Sequence, residues 1–62
     1  MTTAEKARAY DDLVRESDRI QRENSKLKSE YVTNIPPDVA RVIKENERKI
    51  GVIVGRVEGL FR

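Results

Sequence analysis

Four basic residues, Arg15, Arg19, Arg22 and Lys26, recur at steps of four, three and four. On a helix that spacing lays them along one exposed stripe, able to follow a line of phosphates and to bind them in a salt-sensitive way. A small nucleic-acid-binding regulator is therefore one function the chain permits. Asp11, Asp12 and Asp18 are interleaved close by, and no exposed aromatic is expected there to stack on bases. A solvated helix face explains the stripe more simply.

The remaining reactive side chains point to less. Asp11-Asp12 and Glu45-Asn46-Glu47 bring carboxylates together, but in a chain this rich in charge such groups belong to a solvated face. There is no histidine and no cysteine, which removes histidine acid/base catalysis, thiol chemistry, disulfide staples and Cys/His zinc sites together. Gly51, Gly55 and Gly59 lack the Lys-Ser/Thr that completes a phosphate loop. A two-helix architecture, argued below, also encloses no dry pocket. The chain is expected not to be an enzyme and to take no cofactor, metal or small-molecule substrate.

With 62 residues the chain makes one domain, and a domain this short withdraws only about 60% of its unfolded surface from water. Help from a partner is expected. Thirteen basic and 11 acidic residues leave a net charge of only +2, because the signs are interspersed. That balance argues weakly for nucleic acid or anionic membranes. No apolar run approaches the roughly 20 residues that span a bilayer, and the first residues lack a signal-peptide layout. A soluble, cytoplasmic protein is the expectation.

Residues 3–31 contain no Gly or Pro, and Thr2 or Thr3 precedes Glu5 as a cap. With Tyr10 at a heptad a site, an unbroken seam runs Tyr10, Leu13, Ser17, Ile20, Asn24, Leu27, Tyr31. Pro36 and Pro37 then end the helix, since each excludes the residue before it from helical backbone. The hinge is read as 32–36. A proline suits the first turn of the next helix, and Asp38 suits its positive end. The second helix, 37–60, carries the seam Val39, Ile43, Asn46, Ile50, Ile53, Val57, Leu60. Its three glycines and its β-branched residues also admit a strand or short hairpin around Gly55-Arg56. Helix is preferred, because the heptad continues through the glycines and a lone two-stranded hairpin is unstable.

Folding the chain at the hinge pairs the two seams with a constant sum of residue numbers. Tyr31 meets Val39, Leu27 meets Ile43, Asn24 meets Asn46, Ile20 meets Ile50, Ser17 meets Ile53, Leu13 meets Val57 and Tyr10 meets Leu60. Every layer is then an a–d pair, as an antiparallel coiled coil requires. Asn24 and Asn46 fall in one layer, where each amide can satisfy the other, and any slip in register is punished. On one flank Glu23 is set against Lys49 and Glu16 against Arg56. On the other, Lys28 lies by Ala40 and Gln21 by Glu47, while Val14 faces Val54 and Ala7 faces Phe61.

The hairpin alone does not need those last four apolar residues. They widen its stripe to that of a bundle helix, and Gly51 and Gly55 beside Val54 would let a partner backbone approach. The architecture read from the sequence is all-α: an antiparallel coiled-coil hairpin dimerising into a four-helix bundle. Ala7, Val14, Gly51, Val54, Gly55 and Phe61 form its protein interface. A parallel trimer of the second arm is the competing assembly, since Ile50 and Ile53 suit it, but it leaves the asparagine layer unexplained. The function expected is a non-enzymatic protein-interaction or oligomerisation module, such as an assembly factor, scaffold, adaptor or inhibitor. Its partners are a second copy, another protein, or both.

Overall fold

A computed structural model describes all 62 residues. It contains two helices packed against each other and no strand: α1, Thr3–Glu30, and α2, Pro37–Leu60. Together they form an antiparallel hairpin 47 Å long and 15 × 12 Å in section.

Thr2 starts α1. Its hydroxyl oxygen accepts the Glu5 backbone N–H at 3.1 Å, and the Glu5 carboxylate accepts in turn from the Thr2 backbone N–H at 3.4 Å. This reciprocal box satisfies backbone donors that a helix start otherwise leaves unpaired. The helix ends one residue before the expected 31: Tyr31 leaves helical backbone, and its N–H closes the last turn on the Leu27 carbonyl at 3.1 Å. Pro36 holds extended backbone ahead of α2, and its carbonyl accepts the Ala40 N–H at 2.9 Å. Proline serves here because a first-turn residue has no helical use for an N–H.

The strand alternative for residues 51–61 does not hold. α2 runs through Gly51, Gly55 and Gly59 to Leu60, and no residue has positive φ. β-branched propensity is overridden because Ile53 and Val57 sit on the seam, where burial against α1 outweighs a preference of tenths of a kcal/mol. The second arm likewise packs on the first arm of its own chain, rather than standing apart as a straight trimer strand.

Ile20, Ile43 and Ile53, with Asn24 and Asn46, are the buried residues. Every other seam residue is half-buried except Tyr10, which is exposed at the open end. No side chain is wholly withdrawn from solvent. The core is thus a single seam, one residue deep on each helix.

The asparagine layer forms, but not as a symmetric amide pair. Asn46 Nδ2 donates to Asn24 Oδ1 at 2.8 Å, while Asn24 Nδ2 turns to the Ile43 carbonyl at 3.2 Å. No buried side-chain nitrogen or oxygen is left without a partner. The expected cross-helix ion pairs, Glu23 with Lys49 and Glu16 with Arg56, do not form. The one ion pair joining the helices is Lys28 with Glu47, at 3.5 Å on the other flank. The rest are local along the chain: Asp11 with Arg15 and Asp18 with Arg22 within α1, Glu45 with Arg48 within α2, and Glu58 of α2 with Arg62 just beyond its end.

Candidate protein-interaction face

Toward the open end the two helices leave a groove of about 320 Å³. Its position follows from helix geometry. Val14 comes one residue after the seam residue Leu13, and Val54 one after Ile53, so both point to the same flank of the hairpin. They are 41% and 48% exposed. Tyr10, Val57 and the edge of Ile53 complete an apolar floor, with Ser17 and Gln21 toward the middle of the molecule. Asp18 on α1 and Glu58 on α2 form acidic rims. Arg22 holds Asp18 at 2.9 Å and Arg62 holds Glu58 at 4.0 Å, each from four residues further along the chain. Neither arginine lines the groove.

Val14 and Val54 therefore share a groove, while Ala7 and Phe61 lie beyond it, together in a shallower depression at the end of the hairpin. Phe61 is 65% exposed and follows the last helical residue. Its ring meets Tyr10 edge-on, with centroids 5.8 Å apart and planes at 72°. Gly51 and Gly55 are exposed on α2 but line neither hollow. A Cβ placed on either meets nothing within 4 Å, so no contact inside the hairpin requires glycine. Asn24 and Asn46 lie in the core, away from this face.

Of the groove residues, sequence reasoning places only Val14 and Val54 at the interface: it assigns Tyr10, Ser17, Ile53 and Val57 to the seam, sets Gln21 against Glu47, and misses the rims Asp18 and Glu58. The rims were legible in principle. Each comes four residues after an interface position, Asp18 after Val14 and Glu58 after Val54, and so borders the same helix face.

The basic stripe is partly neutralised. Asp11 holds Arg15 at 3.1 Å and Asp18 holds Arg22, whereas Arg19 and Lys26 have no acidic partner. Two shifted ionisations lie elsewhere, on the α2 surface. The hydrogen bond from Arg48 lowers the Glu45 carboxyl from its ordinary value, and the same bond raises the Arg48 guanidinium. Nε of Arg48 donates to the two carboxylate oxygens at 3.1 and 3.2 Å. This is an exposed pair one helical turn apart; Glu45 borders a shallow depression with Glu23, Arg41 and Lys49, and Arg48 borders another over Val52. No cluster of three or more acidic side chains is placed to hold a metal ion. No helix is long and apolar enough to cross a membrane.

Comparison with protein-family models, with curated proteins and with solved structures finds no match.

Proposed function

We propose that this chain is a small protein-interaction and oligomerisation module that acts by binding, not by catalysis, and works in the cytoplasm. The observation that carries this reading is the groove over Val14 and Val54. It is an apolar floor that the hairpin's own packing leaves half exposed, on a molecule whose core is a single seam. Covering it with further helices adds buried apolar surface at about 25 cal/mol per Å², a substantial gain for a domain this small. Two hairpins brought together at this face set four helices side by side in a bundle and bury the groove residues between them.

Sedimentation at micromolar concentration tests the reading. The wild-type chain associates, and Val54→Glu combined with Phe61→Glu abolishes association while leaving the helix content intact. A wild-type chain that stays monomeric, together with a double variant that changes neither stability nor any binding, refutes it.

The nucleic-acid reading has less support, because acids of the same helix already hold Arg15 and Arg22. Gel-shift titrations at two salt concentrations separate the two readings: salt-dependent binding through Arg19 and Lys26 would restore the second.

A further inference from the structure

We propose that the occupant of the groove is α2 of a second copy, inserted by the outward strip Lys49, Val52 and Arg56, so that copies join head to tail through two different surfaces. The proposal rests on the reading of the groove as an association face and names what fills it.

Val52 and Val54 flank the buried Ile53 on either side. At about 100° per residue they point to nearly opposite flanks of the hairpin. Val52 is 45% exposed, as open as the groove valines. Its surroundings carry the opposite charge. The depression over it is lined by Lys49 and Arg56, neither of which has an ion-pair partner, by Arg48, which Glu45 holds, and by a single acid, Glu16. One flank is therefore apolar with the acids Asp18 and Glu58 on its rims, each held only by an exposed arginine of its own chain, and the other apolar with the unpaired cations Lys49 and Arg56 on its rims.

The spacings agree. Lys49, Val52 and Arg56 follow steps of three and four, one helix face on which the two cations are about 10 Å apart along the axis at 1.5 Å per residue. In the groove, Asp18 lies level with Val52, one layer step from the Ser17–Ile53 layer, and so about 9 Å along the axis from Glu58. Val14 and Val54 lie between those two acids, as Val52 lies between the two cations. A two-fold dimer that buries the groove against itself instead brings Asp18 and Glu58 of both copies together around one seam and offers them no unpaired cation from the partner, whereas the strip brings Lys49 and Arg56. Joining two distinct surfaces leaves a free strip at one end and a free groove at the other, so addition continues into rings or open chains.

The test uses two exposed substitutions on the full chain, Val52→Glu and Val54→Glu, followed by sedimentation with circular dichroism to confirm the helices. Wild type passes beyond the dimer as concentration rises. Each variant alone is monomeric, and an equimolar mixture forms a one-to-one dimer and stops, because each variant keeps the surface the other has lost. If Val54→Glu is monomeric while Val52→Glu assembles like wild type, the head-to-tail arrangement is wrong but the groove remains an association face. If neither substitution matters, or if wild type is monomeric throughout, both readings fail. A mixture that stays monomeric also overturns the proposal. Should either variant unfold, charge reversal replaces it: Lys49→Glu and Asp18→Lys each weaken assembly about tenfold or more alone, and mixing them restores assembly beyond the dimer, because both mixed contacts again set opposite charges together. Absence of that restoration sinks the arrangement.

Discussion

Asn46 donates a 2.8 Å hydrogen bond to the side-chain oxygen of Asn24, and Asn24 passes its own amide hydrogen to the Ile43 carbonyl. The chain so formed runs in one direction, from the side chain of α2 through that of α1 and back to the α2 backbone. An asparagine pair costs core stability compared with leucine. Its value lies in register, since a shift of one heptad parts the two amides and sets Asn24 against Val39 or Ile53 and Asn46 against Ser17 or Tyr31.

Replacing one asparagine is therefore worse than replacing both. Asn46→Leu or Asn24→Leu alone strands a buried amide and destabilises the hairpin by about 1–3 kcal/mol. The double leucine variant recovers most of that loss or exceeds wild type. Urea denaturation of the three variants measures this, and simple additivity of the two single losses would contradict the pairing.

Gly51 and Gly55 lie on an exposed part of α2, where a methyl group meets open space. Alanine at either position should stabilise the isolated hairpin by about 0.5–1 kcal/mol through helix propensity alone. Thermal melts at low concentration show the gain. If the same substitutions weaken association at high concentration, a partner backbone packs on the glycines; unchanged association confines them to a purely local role.

Removing the Thr2 hydroxyl breaks a cap that lies beyond the buried core. Thr2→Ala should cost about 0.5–2 kcal/mol locally. The loss appears as faster amide exchange in the first turn of α1, from Ala4 to Lys6, while exchange at Ile20 and Asn24 is unchanged. Faster exchange throughout α1 would mean that the hairpin opens as one unit from its end.

Acidification acts through Glu45. The hydrogen bond from Arg48 holds its folded-state pKa below the ordinary 4.5. The stabilising contribution is thus present in full above that ordinary value and is lost as pH falls through the lowered one. The pair is exposed, so the effect is small, and Glu45→Gln should flatten the acid limb of the stability profile while leaving neutral pH nearly unchanged. An unaltered acid limb would assign the pH dependence to other carboxylates.

The seam could be read in the sequence because helix periodicity repeats over three heptads in each arm, and one hinge then fixes which residues meet. The ion pairs could not. Arg15 and Arg22 choose acids four residues earlier on their own helix, where neighbours are already within 5–6 Å and the acid-before-base order is favourable. Glu16 and Glu23 would have had to reach across the hairpin to their cations. Lys28 does span the gap to Glu47 at 3.5 Å, with both side chains exposed. The pattern sets Phe61 against Ala7, and the two do border one depression. Its edge-on contact with Tyr10 was not legible, because Phe61 follows the last helical residue with φ −111° and ψ 15°, where a helical wheel no longer applies. The groove was half legible: its valines show in the heptad, and its acidic rims follow each valine by one turn of the same helix, but that these four line one hollow emerges only when both helices are seen side by side.

A core from which no side chain is fully withdrawn has a calorimetric signature. Little apolar surface is newly wetted when such a hairpin melts, so its heat-capacity increment and denaturant slope are small for its length, and its transition is broad. Assembly changes that. Once the groove is filled, melting and dissociation are one event, and the transition sharpens and moves upward with protein concentration. The width of a melting curve thus reports how many copies stand together.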